Sequence, residues 1–204
     1  MHISWLGQTC VKLQTKNIDE DVVILIDAYK PDKGNFPRNF SPQIALFSKG
    51  QNGATTVGGA FVLDTLGEVE IKKVLITAMP GSDDNIIFKI NAEGMNLVHL
   101  GRQSKKIDPA IMEKIGTPDI LFIPVGGGKD YLNPENAVEI INELEPRTVA
   151  PVAFKCDTDP SALPIGNFLK ESGLKDGKPE PKIIIKKKDL PQEERALFLL
   201  EKNY

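Results

Sequence analysis

Residues 119–128 read Asp-Ile-Leu-Phe-Ile-Pro-Val-Gly-Gly-Gly, an apolar run that ends in three consecutive glycines. Four apolar residues in succession predict a strand that is covered on both faces. A helix is predicted on each side, because Asp108-Pro109 and Asn133-Pro134 each supply a capping residue and a first-turn proline. Residues 148–152 are predicted to form the next strand. Strands and helices therefore alternate in this half of the chain, which is typical of α/β proteins.

The first half of the chain is predicted to form strands, with a loop over residues 29–42. These strands cover residues 3–6, 10–14, 22–27, 44–47, 61–63, 69–71, 74–78, 86–91 and 96–100. Near the C-terminus, a helix is predicted around residues 165–169 and strands at 182–186 and 195–200. Many strands followed by alternating strands and helices indicate two packed sheets with helices outside, in a single domain over residues 1–204.

Composition and charge narrow the range of partners and compartments. The net charge of -3 gives no general attraction for nucleic acid or an anionic membrane. Cys10 and Cys156 form neither a CxxC motif nor a disulfide framework, so a reduced, cytoplasmic compartment is expected. The first residues lack the basic-then-apolar pattern of a signal peptide, and no apolar run reaches the roughly 20 residues needed to cross a bilayer.

Five segments, in this order and spacing, resemble the metallo-β-lactamase superfamily, in particular its small lactonase-like branch of metal-dependent hydrolases. They are Ile-Ser-Trp-Leu-Gly-Gln-Thr-Cys (3–10), Ile-Leu-Ile-Asp (24–27), Val-His-Leu-Gly-Arg (98–102), the run 119–128 quoted above, and Glu-Pro-Arg-Thr-Val-Ala-Pro-Val-Ala-Phe (145–154). The resemblance extends from residue 1 to about residue 155, and Pro-Val-Gly-Gly-Gly is its most specific element. It implies an α/β (α+β) fold, the αββα four-layer sandwich.

The chain departs from that family at the metal-binding segment. The family pattern, Thr-His-x-His-x-Asp-His, provides ligands for one or two metal ions, which lower the pKa of bound water to about 7. The chain has no histidine between His2 and His99. The residues at the family's metal-binding positions are Lys49, Gln51, Gly53, Ala54, Arg102 and Ala153, and Gln8 replaces a further histidine. The resemblance therefore implies a fold that has lost its metal ligands.

Two residues do match the family pattern. The resemblance implies that Asp27 supports the metal shell from behind and that His99 is a structural part of its strand. An alternative metal site would combine Asp27 and His99 with Asp83 and Asp84. The sequence Pro-Gly-Ser at 80–82 favours these two aspartates as turn formers instead.

Two of the residues at the family's metal-binding positions are cations, Lys49 and Arg102. In one interpretation, these two side chains point into solvent or pair with local carboxylates such as Asp27. In the other, they form an anion pocket, since arginine offers a planar fork to carboxylate or phosphate. We therefore predict a site for a small anionic molecule, with no metal and with unknown catalytic residues. Its predicted members are Asp27, Lys49, Gln51, His99 and Arg102. The run Gly-Gly-Gly-Lys at 126–129 lacks the phosphate-loop spacing and predicts a tight turn.

Three classes of function stay open. The favoured one is a metal-free, catalytically inactive homologue, a pseudoenzyme without a cofactor. The second is an active hydrolase with a rearranged site, for which zinc or manganese would be expected. The third is a protein-interaction or structural module whose surface lies elsewhere, for example in the charged C-terminal part, and a homo-oligomer stays open.

Overall fold

The computed structural model of the chain describes residues 1–16, 20–37, 39–174 and 177–204. The strands of the first half are β1 (His2–Trp5), β2 (Val11–Lys16), β3 (Asp21–Ile26), β4 (Asn39–Phe40), β5 (Ile44–Leu46), β6 (Thr56–Val57), β7 (Phe61–Leu63), β8 (Gly67–Ile71), β9 (Val74–Pro80), β10 (Ile86–Ala92) and β11 (Met95–His99). The second half adds α1 (Pro109–Ile115), β12 (Ile120–Pro124), α2 (Pro134–Leu144), β13 (Thr148–Val152), α3 (Ile165–Ser172), β14 (Ile183–Ile184) and β15 (Ala196–Leu197).

The strands form two large sheets. One has the order β14-β1-β2-β3-β5-β7, and the other has the order β15-β13-β12-β11-β10-β9-β8. In the second sheet β11, β12, β13 and β15 run parallel, because helices connect these strands and return the chain to the same end. The predicted α/β class, the αββα sandwich, is confirmed.

Alternating burial along the strands divides the apolar residues of the six-stranded sheet between its two faces. In β3, Val22, Ile24 and Ile26 are fully buried in the main core. Leu25 points the other way, into a second cluster that includes Ala45 of β5. Residues from the segment 28–62, including the β4 and β6 region, pack against this second cluster. The α-helices of the described residues all follow β11, and α2 contacts both α1 and α3.

The helix ends follow the predicted capping residues. The Asp108 carboxylate accepts a hydrogen bond from the Ala110 amide at 2.8 Å, and the Asn133 side chain accepts one from the Asn136 amide at 2.8 Å. Gly116 ends α1 in a backbone conformation with φ +65°. Among the helices of the described residues, none combines the length and the apolar character that a transmembrane segment requires.

Short edge pairings account for the differences from the sequence prediction. The predicted loop over residues 29–42 contains β4, which pairs in parallel with β6. The strands predicted at 182–186 and 195–200 shorten to β14 and β15, each of two residues. Both lie at the edge of a sheet, where a strand has a partner on one side only. Lys187–Asp189 forms a 3₁₀ turn after β14.

The ends of several strands meet where the two sheets come together. The amide of Asp27, just after β3, donates to the Leu46 carbonyl of β5 at 2.8 Å. The amide of Ala153, just after β13, donates to the Gln8 carbonyl in the β1–β2 turn at 2.8 Å. These contacts bring together loops that are far apart in sequence.

Candidate functional site

A cleft of about 460 Å³ opens at these strand ends. Its volume lies within the range of about 300 to 1,000 Å³ that is usual for small-molecule sites. Its walls come from four loops: residues 8–9 after β1, residues 27–30 and 32 after β3, residues 48–50 and 52–54 after β5, and Arg102 after β11.

Asp27 holds the loop that follows β5. Its Oδ1 accepts from the Ser48 amide at 2.6 Å and its Oδ2 accepts from the Ser48 hydroxyl at 2.7 Å. The backbone of Asp27 is left-handed, with φ +51°, a conformation that persists in a non-glycine residue only when its surroundings fix it. Both carboxylate oxygens are thus used to position the neighbouring loop at the floor of the cleft.

Arg102 brings a positive charge to the cleft wall. The residue is half-buried, and its Nη2 donates to the Gln8 side-chain oxygen at 3.0 Å. Within the described residues, Arg102 forms no ion pair with a carboxylate. A charge removed in part from water is stabilised by an opposite charge, so this guanidinium favours an anionic partner.

Gly101 and Asn85 fix the backbone next to Arg102. Gly101 has φ +59°, and a Cβ there would lie 2.4 Å from the Ser48 Cβ and 2.5 Å from Asn85 Oδ1. The same Asn85 Oδ1 accepts from the Arg102 amide at 2.7 Å, while its Nδ2 donates to the Leu100 carbonyl at 2.9 Å. Neither residue was among the predicted site residues, although Gly101 lies inside the quoted segment 98–102.

His99 lies behind the cleft wall and does not line it. It is completely buried; its Nε2 donates to the Thr9 carbonyl at 2.9 Å and its Nδ1 accepts from the Gly101 amide at 3.0 Å. These two bonds require the neutral ring with its proton on Nε2. Burial lowers the pKa of His99, although the Asp27 charge and the bond to Thr9 act in the opposite direction.

Lys49 and Gln51, in the loop after β5, point in different directions. Lys49 is exposed and lines the cleft. The exposed Gln51 donates from Nε2 to Asp64 Oδ2 at 2.8 Å and does not line the cleft. The structure therefore places Asp27, Lys49 and Arg102 around one cavity, with Gln51 and His99 outside it.

The turn that contains Asp83 and Asp84 precedes β10, as predicted. The Lys105 ammonium lies 2.6 Å from Asp83 Oδ1. The pKa of Asp83 is lowered, chiefly by this hydrogen bond and to a smaller extent by the Lys49 charge. Asp83 therefore takes part in a surface ion pair.

Gly126 packs against the end of β13, and none of the glycines at 126–128 lines the cleft. A Cβ on Gly126 would lie 2.1 Å from the Ala153 carbonyl oxygen. Residues 128–130 form the predicted tight turn. Glycine is therefore needed at residue 126 because the backbone of another strand approaches it closely.

The residues that line the cleft do not fit the metal centre that the resemblance would imply. In the described part of the chain, no group of three or more His, Cys, Asp or Glu residues is arranged to hold a metal ion. The cleft offers two carboxylates, Asp27 and Asp32, alongside three cations, Lys30, Lys49 and Arg102. These positive charges would repel a divalent cation, whose usual ligands are imidazole, thiolate and carboxylate groups.

Residues 2–153 match the family model of the β-lactamase superfamily domain, and the chain therefore belongs to this superfamily, with the metallo-β-lactamase fold. No curated protein matches the chain at a significant level.

Several solved structures are similar to the chain. A candidate Zn-dependent hydrolase of the metallo-β-lactamase superfamily from Thermotoga maritima is 25% identical, with a TM-score of 0.80 over 98% of this chain and 100% of that chain. A metallo hydrolase from Ignicoccus hospitalis is 15% identical, with a TM-score of 0.62 over 84% of this chain and 90% of that one. A possible metal-dependent hydrolase from Veillonella parvula is 12% identical, with a TM-score of 0.65 over 91% and 99%. The last two establish likeness of fold alone.

Proposed function

We propose that this protein is a metal-free member of the metallo-β-lactamase fold, without hydrolase activity, that binds a small anionic molecule in the cleft. One observation carries the proposal: the half-buried Arg102 guanidinium contacts an amide oxygen and, in the described residues, no carboxylate. The resemblance implies that Arg102 corresponds to a metal-bridging Asp of the family. On that correspondence, a cation stands where the family has an anionic ligand.

The surroundings of Arg102 support an anionic ligand. Lys30 and Lys49 line the same cleft, and neither forms an ion pair within the described residues. Asp27, one of the two carboxylates that line the cleft, already accepts two hydrogen bonds from Ser48. A guanidinium carries five N–H donors, so its bond to Gln8 leaves others for the oxygens of a carboxylate or phosphate.

Thermal unfolding with added phosphate, sulfate or acetate at constant ionic strength tests this proposal. At an anion concentration of 100 times Kd, binding stabilises the folded state by about 2.7 kcal/mol, which corresponds to a Tm increase of about 5 to 10 °C for a chain of this size. We expect Arg102→Met to abolish this increase. Lys129→Met, at an exposed residue outside the cleft, is the matched control and should retain it. No increase in the wild-type protein, or an equal increase in Arg102→Met, would contradict the proposal.

The second candidate function is an active hydrolase with a rearranged, metal-dependent site. Its support is the similarity to the Thermotoga maritima candidate Zn-dependent hydrolase over nearly the full length of both chains. Metal analysis of the purified protein distinguishes the two functions. Zinc, manganese or iron at one or more ions per chain would favour the hydrolase, and metal well below one ion per chain would favour the anion-binding protein.

The proposal includes a reduced, cytoplasmic location. Cys10 and Cys156 are both free thiols, and the buried position of Cys10 raises the pKa of its thiol well above the ordinary value. A buried, protonated thiol behaves as a small apolar side chain. Fluorescence microscopy of the tagged full chain in its own cells would test the location, and an extracellular signal would contradict it.

A further inference from the structure

A groove adjoins the cleft and shares two of its wall residues. The groove has a volume of about 620 Å³, and Lys30 and Ala54 line both cavities. The Lys30 amide donates to the Gly53 carbonyl at 2.7 Å, which holds the shared wall together. A ligand bound in the cleft could therefore extend into the groove.

Apolar and hydroxyl-bearing side chains line the groove together. Pro31, Phe36, Pro37 and Ala54 are its apolar residues, and Thr55 and Thr56 add hydroxyl groups. Lys30, at the boundary with the cleft, is the one charged side chain among its described lining residues. The cleft, in contrast, contains three cations and two carboxylates. The two connected cavities thus differ in charge: the three cations line the cleft, and apart from Lys30 the described lining residues of the groove are uncharged.

Phe36 is held in place by neighbouring rings. Its ring centroid lies 4.2 Å from that of Tyr29 and 5.6 Å from that of Phe40. The Tyr29 hydroxyl lies 2.6 Å from Thr158 Oγ1 and donates to the Leu6 carbonyl at 3.2 Å. A side chain that is already held in place loses less conformational entropy when a ligand binds against it.

The loop that carries Phe36 is anchored to the end of the second sheet. The Asn35 amide donates to Asp157 Oδ2 at 3.0 Å, and Asp157 Oδ1 lies 2.7 Å from the Lys202 ammonium. A Cβ on Gly34 would lie 2.6 Å from the same Asp157 Oδ2, so the loop approaches this carboxylate closely. The groove therefore has a fixed wall next to the cleft.

We propose that the ligand of this protein is an amphipathic small anion, with a carboxylate or phosphate group at Arg102 and an apolar chain or ring in the groove. This inference rests on the proposed function and adds the chemical class of the ligand. The anionic group belongs in the cleft because the cations lie there. The apolar group belongs in the groove because apolar surface removed from water stabilises a complex.

A series of straight-chain carboxylates tests the inference by calorimetric titration of the full chain. Acetate, butyrate, hexanoate and octanoate share one anionic group and differ only in apolar length. We expect the affinity to rise about fourfold for each methylene that becomes buried in the groove. Arg102→Met should weaken binding of every member of the series.

Variants of the groove separate its contribution from that of the cleft. Phe36→Ala should reduce the affinity gained per methylene and leave acetate binding unchanged. Because Phe36 packs against other rings, Thr56→Trp is a second variant that fills the groove from an exposed residue. Thr65→Trp, at an exposed residue outside both cavities, is its matched control and should retain the wild-type series.

Two outcomes would overturn the inference, and a third would overturn the proposed function on which the inference rests. If acetate and octanoate bind equally well and both depend on Arg102, the groove does not hold the ligand, while the anion-binding cleft stands. If octanoate binds more tightly than acetate, and Thr56→Trp leaves this difference unchanged, the apolar chain of the ligand lies outside the groove. If no carboxylate or phosphate binds at all, the proposed function itself is wrong.

Discussion

Replacing Gly101 with alanine should destabilise the fold at the junction that positions Arg102. Gly101 has φ +59°, and its added Cβ would lie 2.4 Å from the Ser48 Cβ, 2.5 Å from Asn85 Oδ1 and 2.8 Å from the Ile86 carbonyl oxygen. The left-handed conformation costs an alanine about 1 to 2 kcal/mol. Inserting a methyl group into a packed site costs about 1 to 3 kcal/mol more.

The expected loss for Gly101→Ala is therefore about 2 to 5 kcal/mol in the free energy of unfolding. For a chain of this length that corresponds to a Tm decrease of about 4 to 20 °C. Urea denaturation followed by circular dichroism measures the free energy, and a thermal melt measures Tm. Binding of phosphate should also weaken, because the strained backbone displaces Arg102.

Gly128→Ala is the matched control for this experiment. Gly128 also has positive φ, at +71°, but no atom lies within 4 Å of its added Cβ. Gly128→Ala should lower the free energy of unfolding only by the cost of the left-handed backbone conformation, about 1 to 2 kcal/mol. Equal losses in the two variants would refute the argument that the close approach to Ser48 and Asn85 requires glycine at residue 101.

Three further predictions concern the residues around the cleft. Ser48→Ala removes the hydroxyl that donates to Asp27 at 2.7 Å, and urea denaturation should show a loss of about 1.5 to 3 kcal/mol. Because burial lowers the pKa of His99, the unfolded chain binds a proton below about pH 6.5 that the folded chain does not. The free energy of unfolding should therefore fall below that pH, by up to about 1.4 kcal/mol per pH unit. His99→Gln should lose this part of the pH dependence in urea titrations from pH 5 to 8. Gln8→Met removes the acceptor for the Arg102 guanidinium, and calorimetry should show several-fold weaker phosphate binding with little change in Tm.

Much of the fold could be predicted from local patterns in the sequence. The apolar run of β12 is completely buried, as four successive apolar residues indicated. Asp108 and Asn133 cap their helices because a short polar side chain beside a first-turn proline can reach a free amide. These features depend on neighbours in sequence, which a single chain displays directly.

The arrangement of the cleft depends on contacts between distant residues, and the sequence predicted it only in part. Asp27 and Arg102 do line one cavity, as their positions in the quoted segments indicated. Gln51 bonds Asp64 instead, because a side chain in an exposed loop can turn to a partner that no local pattern reveals. Both ring nitrogens of His99 bond to backbone groups, one of them 90 residues away in sequence.

The same limitation applies to the residues that sequence reasoning missed. Asn85 follows two aspartates in a turn and looks like an ordinary turn residue, yet its amide bonds both Leu100 and Arg102. The β4–β6 pairing joins segments of two residues, too short to produce a periodic pattern. The groove is lined by residues from two segments of the chain, within 30–37 and 54–56, and only the folded chain brings them together.

We expect an anion, and not a metal ion, to occupy the cleft of this metallo-β-lactamase-fold protein. A crystal structure of the full chain grown with both zinc and phosphate, with diffraction data collected at the zinc absorption edge, tests it most directly. We predict oxyanion density within hydrogen-bond distance of the Arg102 guanidinium and no anomalous zinc peak in the cleft. A zinc peak bound by residues of the cleft, with no anion at Arg102, would contradict the account.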